Sequence, residues 1–100
     1  MAARTADGFV KGYVRGNALY DWYGRLVGRI EGRGRIVDWA GQVVGHIDEY
    51  NGTVYDVNGR VVGSVERERF GVYTVRKIEG WVAGTVENIY EAALLLFPLT

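Results

Sequence analysis

The chain has no cysteine, one proline, one histidine and no excess charge: 12 Lys and Arg stand against 12 Asp and Glu in 100 residues. Without cysteine there is no disulfide framework, no thiolate zinc site and no cysteine nucleophile. With a single histidine besides, the usual catalytic triads and zinc ligand sets are out of reach. Zero net charge and a pI near 6.6 argue against a general polyanion binder, whose affinity rests on many phosphate contacts. Long apolar runs are missing too. The opening residues, Met1 to Gly8, lack the apolar segment of a secretory signal, and the longest apolar run, Ala92 to Phe97, falls far short of the roughly 20 residues a spanning helix needs. No membrane span and a cytoplasmic location are therefore expected.

What is present is a folded chain's composition, with 48% apolar residues, 13% aromatics and 15 glycines that follow no collagen-like period. One hundred residues suit a single domain with one core. The glycines are organised. Tyr20-Asp21-Trp22-Tyr23-Gly24-Arg25-Leu26-Val27-Gly28 returns as Val37-Asp38-Trp39-Ala40-Gly41-Gln42-Val43-Val44-Gly45 and again as Tyr55-Asp56-Val57-Asn58-Gly59-Arg60-Val61-Val62-Gly63. A looser copy ends in Gly80-Trp81-Val82-Ala83-Gly84, and Gly8-Phe9-Val10-Lys11-Gly12 is half of one. The pairs Gly8/Gly12, Gly24/Gly28, Gly41/Gly45, Gly59/Gly63 and Gly80/Gly84 lie 16, 17, 18 and 21 residues apart, a period too short for a propeller blade and right for one β-hairpin.

Each unit encodes its turn. Asp at the first position and Gly at the fourth predict a type I turn closed by a left-handed glycine, with loops Trp22-Tyr23-Gly24, Trp39-Ala40-Gly41 and Val57-Asn58-Gly59. Asp21 then faces Arg25, Asp56 faces Arg60 and Asp38 faces Gln42. Counting by twos from the turn puts Tyr20, Leu26, Gly28, Ile30 and their repeats (Val37, Val43, Gly45, Ile47; Tyr55, Val61, Gly63, Val65) on the expected core face, leaving Val27, Val44 and Val62 with Arg29, His46 and Ser64 on the other. Glycine between two apolar strand residues marks a close approach by another strand or a ring.

The resulting expectation is all-β: one domain over 1–100, a closed pseudo-symmetric ring of repeated hairpins with units at about 18–31, 35–48, 53–66 and 71–87. Half units at 8–14 and 88–91 pair to remove the edges, and an apolar tail follows at 92–100. The repeat Tyr-Asp-x-x-Gly-Arg-x-Val-Gly, from Tyr20 to about Glu91 with Ala93-Leu94-Leu95-Leu96 as a leucine-rich tail, resembles the four-fold beta flower proteins of bacteria. That resemblance implies radiating hairpins and no assigned activity or catalytic residue. The last unit departs from it, with Thr74 in the aspartate's place and an Arg76-Lys77-Ile78-Glu79 insertion. A weaker similarity is to PRC-barrel domains, small barrels with Asp-x-x-Gly-x-x-Val-Gly strands.

For chemistry, Asp21, Asp38 and Asp56 read as turn caps, a symmetric ring of oxygen ligands for Ca²⁺ or Mg²⁺ being the other reading. His46 reads as a surface residue. No metal, cofactor or enzymatic activity is expected. Trp22, Tyr23 and Trp39 with Arg25, Arg29, Arg33 and Arg35 are candidate ligand or partner contacts, and Leu94, Leu95, Leu96 and Phe97 form either core or an oligomer interface. Glu66, Glu68, Glu79, Glu87 and Glu91 make the second half acidic, and that polarity favours a protein partner or self-association over nucleic acid. The expected role is a non-catalytic structural or protein-interaction module, and the alternative is a ligand-binding module for single-stranded nucleic acid or a glycan.

Overall fold

A computed structural model describes residues 2–99; Met1 and Thr100, the two ends of the expected domain and tail, lie outside the described residues. Ten strands, β1 (Ala3–Thr5), β2 (Val10–Arg15), β3 (Ala18–Asp21), β4 (Leu26–Glu31), β5 (Arg35–Asp38), β6 (Val43–Asp48), β7 (Thr53–Asp56), β8 (Val61–Arg69), β9 (Val72–Lys77) and β10 (Val82–Val86), pair antiparallel in chain order. β10 returns to β1, so the sheet closes into a barrel without a free edge. A 3₁₀ turn (Ile89–Glu91) and the short helix α1 (Ala92–Leu96) complete the chain.

The turns form as the Asp-x-x-Gly spacing dictates. The amide of Gly24 donates to the Asp21 carbonyl and that of Asp21 to the Arg25 carbonyl, both at 2.9 Å, and the same pair of bonds recurs at Asp38/Gly41 and Asp56/Gly59. Gly24, Gly41 and Gly59 have φ of 86°, 89° and 83°, the left-handed region that a Cβ disfavours. Thr5/Gly8 and Lys77/Gly80 close in the same way without an aspartate, so the ring holds five equivalent hairpins. The expected irregularity in the last unit disappears at its turn, because Lys77 rather than Thr74 takes the first position; the inserted residues lengthen β8 and β9 instead.

The core face differs from the expected one. In each hairpin the register slips by one residue beyond the turn: Tyr20 faces Leu26, but Leu19 faces Gly28, which leaves Val27 as an extra residue. The same slip falls at Val43–Gly45 and Val61–Gly63. A bulge of this kind reverses the alternation on the longer strand. Tyr20, Leu26, Val43, Tyr55 and Val61 therefore do not enter the core, whereas Leu19, Ile36, Val54 and Val75 are fully buried and Val27, Val44 and Val62 pack against them. The expected Gly28, Gly45, Ile47, Gly63 and Val65 do face inward, Val37 is buried and Ile30 packs against the core.

Closure also uses other residues. The pairing of 8–14 with 88–91 is replaced by β1, whose Arg4 and Thr5 face Thr85 and Gly84 of β10 while Ala3 faces Gly12 of β2. Residues 89–91 cannot extend the sheet because a capping box turns them into a helical start: the Asn88 side chain accepts from the Tyr90 amide, and the Glu91 carboxylate accepts from the Asn88 amide. This turn sends α1 into the barrel, where Ala92, Ala93 and Leu94 are buried and Leu95, Leu96 and Phe97 pack against the cluster.

Candidate functional site

In an antiparallel barrel followed in chain order, alternate connections fall at opposite ends. The five Asp-x-x-Gly-type turns share one end, and Gly16-Asn17, Gly32 to Gly34, Glu49 to Gly52 and Phe70-Gly71 form the other. The two ends differ in chemistry. At the turn end the residues following Asp (or its replacement) and those following Gly stand out from the sheet, so their side chains leave the core whatever they are. Several of them are large and apolar. All three tryptophans of the chain lie here, Trp22, Trp39 and Trp81 being 61%, 64% and 73% exposed, with Phe9, Tyr23, Val57 and Ile78 also open to water. Leu26, Val43, Val61 and Val82, pushed outward by the bulges, extend the apolar rim down the barrel wall. At the opposite end Tyr50 and Phe70 are exposed among Arg15, Arg33, Asp48, Glu49, Glu68 and Arg69.

Asp21 is compensated within its own turn. The Asp21 Oδ1 accepts from the amides of Tyr23 and Arg25 at 3.0 and 2.9 Å, while Oδ2 takes the Arg25 Nε at 2.8 Å. Desolvation of this half-covered carboxyl pushes its pKa up, but the two amides and the guanidinium outweigh that and hold it below the ordinary aspartate value. Asp38 and Asp56 cap their turns through the same two amide bonds. The Arg25 guanidinium also lies 5.2 Å from the centre of the Tyr23 ring, which itself sits 4.2 Å from Trp22.

A cavity of about 970 Å³ opens between the first three turns, walled by Phe9, Trp22, Leu26 and Trp39 and floored by Leu94, Phe97, Pro98 and Leu99. Leu94 and Leu99 are each 7% exposed and both line the cavity, so the tail forms its base. Phe97 lies against Gly45, and Leu96 against Gly63, whose added Cβ would come 2.9 Å from Leu96 Cδ1. The approach expected over the strand glycines is thus made both by neighbouring backbone and by the tail.

The sequence-derived contact residues do not form one group. Trp22, Tyr23, Arg25 and Trp39 come together around the cavity. Arg29 and Arg35 instead pair with Glu31 at 3.2 and 3.4 Å towards the opposite end, where Arg33 also sits. Phe9, Lys11 and Trp81 were missed, although Phe9 and Trp81 directly follow Gly8 and Gly80, the place of Arg25 in the repeat, and Lys11 takes the place of Val27. Among the described residues no three His, Cys, Asp or Glu side chains gather as a metal site, and no helix is long and apolar enough to cross a membrane.

A family model described as 4-fold beta flower protein matches residues 6–89. The match begins within the first turn, so the closing strand β1 and the plug α1 lie outside it. Neither a curated protein nor a solved structure matches the chain.

Proposed function

This chain belongs to the 4-fold beta flower family, and from that premise we propose that it is a non-catalytic interaction module which docks onto another protein through the turn end of its barrel. The observation that carries this reading is the placement of the three tryptophans with Phe9, Tyr23 and Ile78 on one end, all exposed. Monomeric soluble proteins seldom leave so much apolar surface contiguous, and Trp and Tyr are the side chains that gain most when an interface centre forms. Zero net charge, together with the pairing of Asp21 with Arg25, leaves little field to steer a polyanion. It suits a partner surface that is apolar at its centre and mixed in sign at its rim. Separation of the Arg29, Arg33 and Arg35 group from Trp22 and Trp39 weighs against one groove gripping both the bases and the phosphates of a nucleic acid.

The test is photo-crosslinking in producing cells, with a benzophenone amino acid placed at Trp39 or at Tyr50, both exposed and at opposite ends. A discrete protein adduct from position 39, absent from position 50 and lost on Trp22→Ser with Trp81→Ser, is expected. Equal adducts from both ends, or an adduct with nucleic acid, would overturn the reading.

A further inference from the structure

We propose that the cavity at the turn end binds a free, single-chain amphiphile with an anionic head, of the long-chain carboxylate class. This inference does not depend on the protein-docking reading. Its volume of about 970 Å³ lies within the roughly 300–1,000 Å³ usual for small-molecule sites. The base is apolar and deep, since Leu94 and Leu99 line it while remaining nearly inaccessible, and Phe9, Trp22 and Leu26 rise as walls. An apolar chain laid there removes water from surface that the fold itself leaves uncovered.

The cation at the rim decides the head group. Arg25 lines the cavity but is already occupied by Asp21 and the Tyr23 ring. Lys11 lines it as well, is exposed, and makes no ion pair among the described residues. With the Asp21–Arg25 charges cancelling, Lys11 is the cation lining the mouth that has no ion pair among the described residues. A single ammonium is a point charge that offsets one negative charge, which one carboxylate supplies. A phosphate backbone or a zwitterionic head would need more.

The proposal is tested by titrating dansyl-labelled undecanoate, below its micellar concentration, and reading energy transfer from the tryptophans. Saturable binding of one probe per chain is expected, with the methyl ester of the probe several-fold weaker. Lys11→Glu should weaken binding several-fold at low salt, and Leu26→Asp by roughly tenfold, as expected for a charge set into an apolar wall. Both positions are exposed, and circular dichroism checks that the variants fold. Val57→Ser, on the fourth hairpin and outside the cavity, should leave the affinity unchanged. Loss of affinity in Val57→Ser equal to that in Leu26→Asp would mean that the whole rim adsorbs the probe, and would overturn the proposal. So would unchanged binding in Lys11→Glu and Leu26→Asp together, or sedimentation with anionic phospholipid vesicles in the absence of monomer binding.

Discussion

Replacing Gly45 by alanine should destabilise the barrel more than replacing Gly28, and the excess should disappear when Phe97 is also removed. Both glycines occupy the same place in their hairpins, opposite Ile36 and Leu19. A Cβ on Gly28 would sit 2.6 Å from the Val37 carbonyl oxygen and 3.4 Å from Leu19 Cδ1. That overlap is with backbone, so a strand must shift; overpacking of this kind costs about 1–3 kcal/mol, and Gly28→Ala should cost about 2 kcal/mol. At Gly45 the Cβ would overlap the Tyr55 carbonyl in the same manner and the Phe97 ring as well, with Cε1 at 2.7 Å. Moving the ring lifts the end of the tail from the core and adds about 1–2 kcal/mol, bringing Gly45→Ala to about 3–4 kcal/mol. For a domain of this size each kcal/mol lowers Tm by about 4–8 °C. Urea unfolding followed by circular dichroism on Gly28→Ala, Gly45→Ala, Phe97→Ala and the Gly45→Ala/Phe97→Ala pair measures the coupling. A coupling of about 1–2 kcal/mol is expected. Additivity to within about 0.5 kcal/mol would refute the seating of Phe97 on Gly45 and with it the path of the tail.

Glu91 is fully buried and its carboxylate accepts from the amides of Val14, Glu87 and Asn88 at 3.3, 3.0 and 3.1 Å. Glu91→Ala strands these donors and should cost about 3 kcal/mol or more by urea unfolding, while Glu91→Gln, which keeps an acceptor oxygen, should recover part of it. Burial, with the Glu49 carboxylate beside it, pushes the Tyr90 hydroxyl above its ordinary pKa. A group whose folded pKa is raised contributes stability that is complete below the unfolded value and is lost as pH rises through the folded one, so stability should fall above about pH 10, and Tyr90→Phe should lessen that fall.

Turns and closure were legible because they are local or topological. An Asp that caps two amides and a Gly that turns left-handed act within five residues, so Asp21 to Arg25 determines its hairpin wherever the hairpin ends up. Repetition of that unit then leaves two edges that are stable only when joined, which is why a closed ring of hairpins could be read from the spacing alone. The tryptophans at the turns were legible for the same reason, Trp22 and Trp39 being turn residues by position.

What tertiary structure decided is everything that depends on which atoms lie across the sheet. The bulge at Val27, Val44 and Val62 is chosen by cross-strand pairing two or three residues past the turn, and no residue type there announces it; it alone moved Leu26 and Tyr20 outward and Leu19 inward. Ala3 to Thr5 show no pattern of their own and became a strand because β10 and β2 offered them two edges at once. The arginines looked like one cluster because they are close in sequence, but a strand rises about 3.3 Å per residue, and β4 carries Arg29 away from Arg25 to the far end. The cavity could not be read from the repeat, since its base is the tail. Leu94, Phe97 and Leu99 reach the first three turns only because the Asn88–Glu91 capping box turns the chain from the sheet into the core.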